Sequence, residues 1–156
     1  MTGLGNKCMA GEKDLKKLMA LLSPHLMDDD FVFCTVRDAV YGDYAELAPV
    51  ASFSEDEGLT LLVSKENADR AGLEYGSVFK CITLNVHSNL EAVGLTAAVS
   101  TKLAGRGISA NMIAAYYHDH IFVPAEKAAA ALSAINELTR PPETEININE
   151  KDPELR

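Results

Sequence analysis

The sequence predicts an α+β fold built from two similar modules of about 60 to 65 residues each. Three observations carry this. Shifting the chain by about 60 positions lays Leu62-Val63-Ser64-Lys65-Glu66 over Phe122-Val123-Pro124-Ala125-Glu126. Each half ends in the same order of polar turn, strand and helix. The second half also passes cleanly from a period-two pattern to a helical one, the signature of a strand running into a helix. Two stacked or side-by-side modules account for this better than one larger sheet.

Taken in order, residues 1–11 contain Gly3, Gly5 and Gly11 with little apolar pattern and read as an arm. Leu15, Leu18, Met19, Leu22 and Leu26 recur at helical spacing, with an interruption near Pro24. Asp28-Asp29-Asp30 reads as a solvated turn leading into a strand from Phe31 to Val36. Val50 to Phe53 and Leu59 to Val63 are further strands, joined by the polar turn Ser54 to Gly58. A helix from Lys65 to Ala71 follows, with Ser64 as its cap and Gly72 as its stop.

In the second half, Val78 to His87 alternates Cys81, Thr83, Asn85 and His87 against Ile82, Leu84 and Val86, as a strand with one buried face does. Leu90, Val93, Ala97 and Leu103 then fall at helical spacing and end at Gly105. Ser109 to Ala115 and Ile121 to Val123 are strands around a polar tip at His118 to His120. Pro124 opens a last helix carrying Ala128 to Leu132, Ile135 and Leu138. This half lacks a final strand unless Thr144 to Asn149 supplies it; otherwise the acidic stretch after Pro142 is a solvated tail.

At 156 residues the chain can bury a core without disulfides or metal. Its formal net charge of −9 opposes nucleic acid and anionic membranes. The densest basic run, Lys13, Lys16 and Lys17, is the wet face of a helix. The three cysteines, Cys8, Cys34 and Cys81, are too few and too irregular for a disulfide framework, which points to a reducing cytoplasm. Neither a secretory signal nor an apolar membrane-spanning run is read.

Ser88 and Glu91 match a capping box, the start of a well-made helix. Position adds a functional reading. In a βαββαβ module the end of the first strand, the start of its helix and the tip of the second hairpin share one edge of the sheet. Ser88, Asn89 and His118 to His120 would then line one rim, where helix N–H groups can meet an anion. A carboxylate at such a terminus gains only about 0.3 to 1 kcal/mol, whereas millimolar to micromolar binding needs roughly 4 to 8 kcal/mol. A second wall is needed. Antiparallel pairing across a two-fold axis would bring it from the start of a neighbouring module's second strand, here Ser109, Ala110, Asn111, Met112 and Ile113.

His118-Asp119-His120 is short of the three or four ligands a zinc site needs, and a solvated hairpin tip is the default. No nucleophile elbow, P-loop or C-x-x-C motif occurs, Cys81 on a central strand reads as a small buried hydrophobe, and no cofactor is called for. Two readings survive: a ligand-binding module, or a ligand-independent interaction module whose strand edges pair into a dimer.

Glu91-Ala92-Val93-Gly94-Leu95-Thr96-Ala97-Ala98-Val99, Gly107-Ile108-Ser109-Ala110-Asn111-Met112-Ile113 and Tyr116-Tyr117-His118-Asp119-His120-Ile121-Phe122-Val123-Pro124 resemble ACT domains, the amino-acid-sensing modules of regulated biosynthetic enzymes. The closer likeness is to small bacterial tandem-ACT proteins, which are similar to the ACT regions of aspartate kinases and of cytosolic arginine sensors. The resemblance is specific over Ile82 to Val123, fair over Leu15 to Gly72 and absent at both tails. It implies two ferredoxin-like βαββαβ modules, at 12–76 and 77–140, with antiparallel sheets and helices on one face, flanked by the arm at 1–11 and a tail at 141–156. It also implies a non-enzymatic regulator that binds an amino acid between modules, forms a homodimer and acts on a partner protein. The family's ligand positions carry onto Ser88, Asn89, Leu90, Glu91, Val93 and Gly94 and onto Ser109 to Ile113, with Asp119 set to receive a ligand ammonium. The matching loop in the first half is not recognisable.

Overall fold

Two central strands each serve both halves of the chain, and this joins the halves into one sheet. The computed structural model describes residues 11–86 and 91–139. In chain order these are α1 (Leu15–Leu21), β1 (Pro24–Val36), β2 (Tyr41–Tyr44), a 3-10 turn (Ala45–Leu47), β3 (Ala51–Glu55), β4 (Gly58–Ser64), α2 (Lys65–Ala71), β5 (Val78–Leu84), α3 (Leu95–Ala104), β6 (Asn111–Ala114), β7 (Asp119–Pro124), a second 3-10 turn (Ala125–Lys127) and α4 (Ala128–Leu138). Six strands form one sheet in the order β3-β4-β1-β5-β7-β6, with every pairing antiparallel.

The ferredoxin-like pattern is present twice. Its four strands in spatial order 4-1-3-2 are β5-β1-β4-β3 in the first half and β1-β5-β7-β6 in the second. β1 and β5 therefore exchange the roles of first and fourth strand. The two expected modules are present and lie side by side; what is corrected is their separation, since they share a single sheet. It also answers the missing final strand, because Pro24 to Leu26 at the start of β1 pairs with Leu84 to Ile82 of β5. The alternative at Thr144 to Asn149, the tail at 141–156 and all but the last residue of the arm at 1–11 lie outside the described residues.

β1 is longer than the sequence suggests. Pro24 ends the helical run and opens the strand, and Asp28-Asp29-Asp30 sits inside β1 where the register shifts between Leu26 and Asp30. A bulge lets a polar run stay in a strand by bending it. Here the run also has a cationic partner: Lys80 Nζ lies 3.0 Å from Asp30 Oδ1 and donates to the Asp28 carbonyl.

All four helices cover one face. Val32, Cys34, Leu59, Leu61 and Val63 pack under α2 and the first 3-10 turn, and Ile82, Leu84, Ile121 and Val123 pack under α1, α3 and α4. The opposite face carries Phe31, Leu62, Cys81 and Phe122, with Phe33 and Phe79 beside them. Thus β5 is apolar on both faces, where its alternation had suggested one. Among the described residues no helix is long and apolar enough to cross a membrane.

Candidate functional site

The end of the sheet that precedes α3 gathers the chemistry. Register places Leu84, the last residue of β5, opposite Asp119, the first of β7, and Asp119 opposite Ala114, the last of β6. The β6–β7 hairpin turns at Ala115 to His118, where Ala115 N–H donates to the His118 carbonyl at 3.1 Å. The tip therefore falls earlier than the expected His118 to His120, because Asp119 and His120 are already paired in β7. Strand alternation puts Asp119 with Ile121 and Val123 on the helix-covered face.

Asp119 is 7% exposed, and its carboxylate has no hydrogen bond or ion pair among the described residues. Burial pushes its pKa above the ordinary carboxylate value, outweighing the pull of His120 and His118 in the other direction. Beside it, His118 Nδ1 is buried without a hydrogen-bond partner in the described structure. Buried polar groups in folded proteins are paired with few exceptions, so the orphaned His118 nitrogen beside the Asp119 carboxylate marks a place where a partner is due. His120 points to the other face, where its Nδ1 lies 3.0 Å from Thr83 Oγ1 and burial lowers its pKa.

The helix expected from Leu90 begins later. α3 starts at Leu95, and its cap residue is Gly94, at φ +107° and without a side-chain cap bond. Glu91 therefore lies four residues before α3 instead of inside its first turn. Glu91 lies in a turn and accepts from Lys13 Nζ at 2.6 Å, an ion pair that holds its carboxyl below the ordinary value. Gly94 sits against Leu15 of α1: a Cβ there would lie 2.9 Å from Leu15 Cδ2. The Ser23 carbonyl accepts from Asn85 N–H at 2.9 Å. α1 and the residue before β1 thus hold the two flanks of the β5–α3 connection, non-local contacts with no periodicity to reveal them. Ser88, Asn89 and Leu90, together with His87, lie outside the described residues.

Of the other candidates, Val93 is exposed, Ser109 and Asn111 are exposed, and Ala110 is half-buried. Asn111 Nδ2 donates to the Phe122 carbonyl at 3.5 Å, and Met112 Sδ accepts from Ser100 Oγ at 3.1 Å. Ile113 faces away from the helices with His120, its partner in register. The two candidate walls are not adjacent within one chain: Asn111 pairs with Phe122, three residues along β7 from Asp119, or about 10 Å at strand rise. β6 is, however, an edge strand with one side open. Among the described residues no three His, Cys, Asp or Glu side chains cluster as metal ligands would.

Two ACT-domain family models match the chain in tandem, over residues 10–80 and 77–137. With the fold above, the chain belongs to the ACT-domain family. Among solved structures it is similar to a Vibrio cholerae protein described as of unknown function and a possible transport protein, at 56% identity over 82% of this chain and 98% of that one, with a TM-score of 0.74. It is also similar to an Agrobacterium tumefaciens protein at 11% identity, over 76% and 89% of the two chains, TM-score 0.62. The regulatory subunit of aspartate kinase from Thermus thermophilus matches at 15% identity, over 76% and 97%, TM-score 0.59. At such identities the last two share the fold alone. No curated protein matches the chain.

Proposed function

We propose that this chain is a cytoplasmic regulatory protein that binds an amino acid between ACT modules of two copies, with Asp119 receiving the ligand ammonium. The observation that carries this reading is the buried Asp119 carboxylate with no partner among the described residues, at the sheet end beside the β5–α3 connection. An ammonium there would satisfy the carboxylate. Removing one partner of a buried, hydrogen-bonded charge pair costs about 2 to 5 kcal/mol, so this one contact would carry a large share of millimolar to micromolar affinity.

The ligand carboxylate needs the other wall. Antiparallel pairing of β6 with the partner's β6 about Ile113 would set the partner's Met112 opposite Ala114, on the face that carries Asp119. Ser109 to Ile113 of one copy would then face Ser88 to Gly94 of the other. Such a two-fold interface is self-complementary and yields two equivalent sites. The two buried free thiols, Cys34 and Cys81, suit a reducing compartment.

The test is thermal unfolding in the presence of each of the twenty amino acids, with wild type and Asp119→Asn. The expected result is a saturable rise in Tm with one amino acid or a small group, weakened about 30-fold or more by Asp119→Asn. No rise with any amino acid, alongside a mass that still depends on protein concentration, would replace this reading with that of a ligand-independent interaction module.

A further inference from the structure

The helix-free face of the sheet, opposite to Asp119, holds a cavity of about 340 Å³ that shares only Ile113 with the residues proposed for the amino-acid site. Its floor is Phe31, Leu62, Cys81 and Phe122, one residue from each of the four inner strands. These side chains are 0 to 3% exposed although no helix lies over them. Aromatic rings wall it in: Phe31 and Phe33 each meet Phe122 edge-on, with ring centres 5.5 and 6.1 Å apart. Residues flanking both edge strands, Val50 and Ala115, reach the same cavity, so the sheet curls around it.

A recessed floor selects the occupant. A second copy laid on this face would hide almost nothing further of side chains that are already dry, so they would add little to a dimer interface. A molecule small enough to enter gains the apolar contact instead. The volume is at the lower end for small-ligand pockets, which are mostly apolar with a few placed polar groups. No charged side chain lines it. Its one ring nitrogen donor or acceptor comes from His120, whose Nδ1 is engaged by Thr83 Oγ1 and whose Nε2 has no partner among the described residues. Burial keeps this imidazole uncharged near neutral pH.

We propose that the cavity is a second binding site, for a small uncharged molecule with a flat apolar body and one hydroxyl, the body lying on Phe31 and Phe122 and the hydroxyl bonded to His120. A hydroxyl suits either tautomer, since it donates and accepts. A zwitterionic amino acid would find no counter-charge here, so this site and the one at Asp119 take different chemistry from the two faces of one strand.

The test uses p-cresol, with p-xylene as its near-isostere lacking the hydroxyl, titrated into the full chain while 13C-methyl resonances are followed. Met27 and Ile113, which line the cavity, are expected to shift saturably, with Met19 and Ile135 on the helix-covered face unmoved. p-Cresol should bind at least fivefold tighter than p-xylene, and His120→Leu should erase that difference. Ala115→Trp, at an exposed rim position, should abolish both responses without touching the core. Absence of a saturable shift in wild type, or an equal shift in Ala115→Trp, would overturn the proposal. So would Met27 and Ile113 resonances that follow protein concentration in place of ligand, which would give this face to a second copy.

Discussion

The two halves of this chain put different residues at the same structural position. The 60-residue offset that aligns β4 with β7 sets Leu59 against Asp119. Leu59 is the second residue of β4 and Asp119 the first of β7; both follow a hairpin turn and face the helix layer, Leu59 opposite Val36 of β1 and Asp119 opposite Leu84 of β5. Leu59 is 1% exposed and packs with Leu47 of the 3-10 turn that stands where the second half has α3. Asp119 is nearly as buried, yet polar and unpartnered among the described residues. One position holds hydrocarbon and the other a carboxylate. In the proposed reading the first half supplies a scaffold, and the second carries the site.

The most severe way to break this comparison is to make the first half resemble the second. Leu59→Asp deletes a buried leucine and places an unpaired carboxylate in a dry core, with no ligand loop to repay it. The loss expected is about 4 kcal/mol or more, read as a large drop in the urea midpoint at constant m-value. A loss below about 1 kcal/mol would mean that Leu59 can escape to water and that the two positions are not equivalent.

The reverse exchange should stabilise. Asp119→Leu removes a carboxylate that burial has partly stripped of water, and the ligand-free protein should gain about 1 kcal/mol or more while losing any rise in Tm with amino acids. The gain should depend on pH. Asp119 has a folded pKa raised above its ordinary 3.8 by burial, so the native state holds the proton more tightly than the unfolded chain does. Wild type keeps that contribution below 3.8 and loses it as pH rises through the raised value. The advantage of Asp119→Leu is therefore smallest in acid and grows to a plateau above the raised pKa. Urea midpoints across that window check the sign: a constant difference would mean that the carboxylate is solvated.

What the sequence disclosed divides along the same line. α2 was legible down to its cap and stop, because Ser64, Lys65 to Ala71 and Gly72 act locally, through a side-chain bond to Asn67 N–H and a left-handed C-cap. The fusion of the halves was not legible, since periodicity reveals which face a residue occupies and not which strand lies beside it. The same limit hid the length of β1, whose aspartates are held by Lys80 from another strand. At the site, the family pattern pointed to Asp119, while the polarity of His118-Asp119-His120 suggested a wet tip. Extending the alternation of Ile121 and Val123 by one step back would have placed Asp119 on the covered face.

The helix starts sharpen the contrast at a smaller scale. α3 opens at Gly94 in a left-handed conformation with Leu15 against it. Gly94→Ala should therefore cost about 1 to 2 kcal/mol through backbone strain and loosen the contact between α1 and the β5–α3 connection. Hydrogen exchange should quicken along α1 if that contact is what seats it, and unchanged exchange there would confine the effect to the glycine itself.

α2 opens instead on Ser64, whose Oγ accepts from Asn67 N–H at 3.2 Å. Ser64→Ala leaves that N–H to water and should cost about 1 kcal/mol. Because the first half carries no site in this reading, the loss should lower Tm equally with and without a bound amino acid. A change in the ligand-induced shift itself would show that α2 is coupled to the site across β1 and β5, and the division into scaffold and site would have to give way.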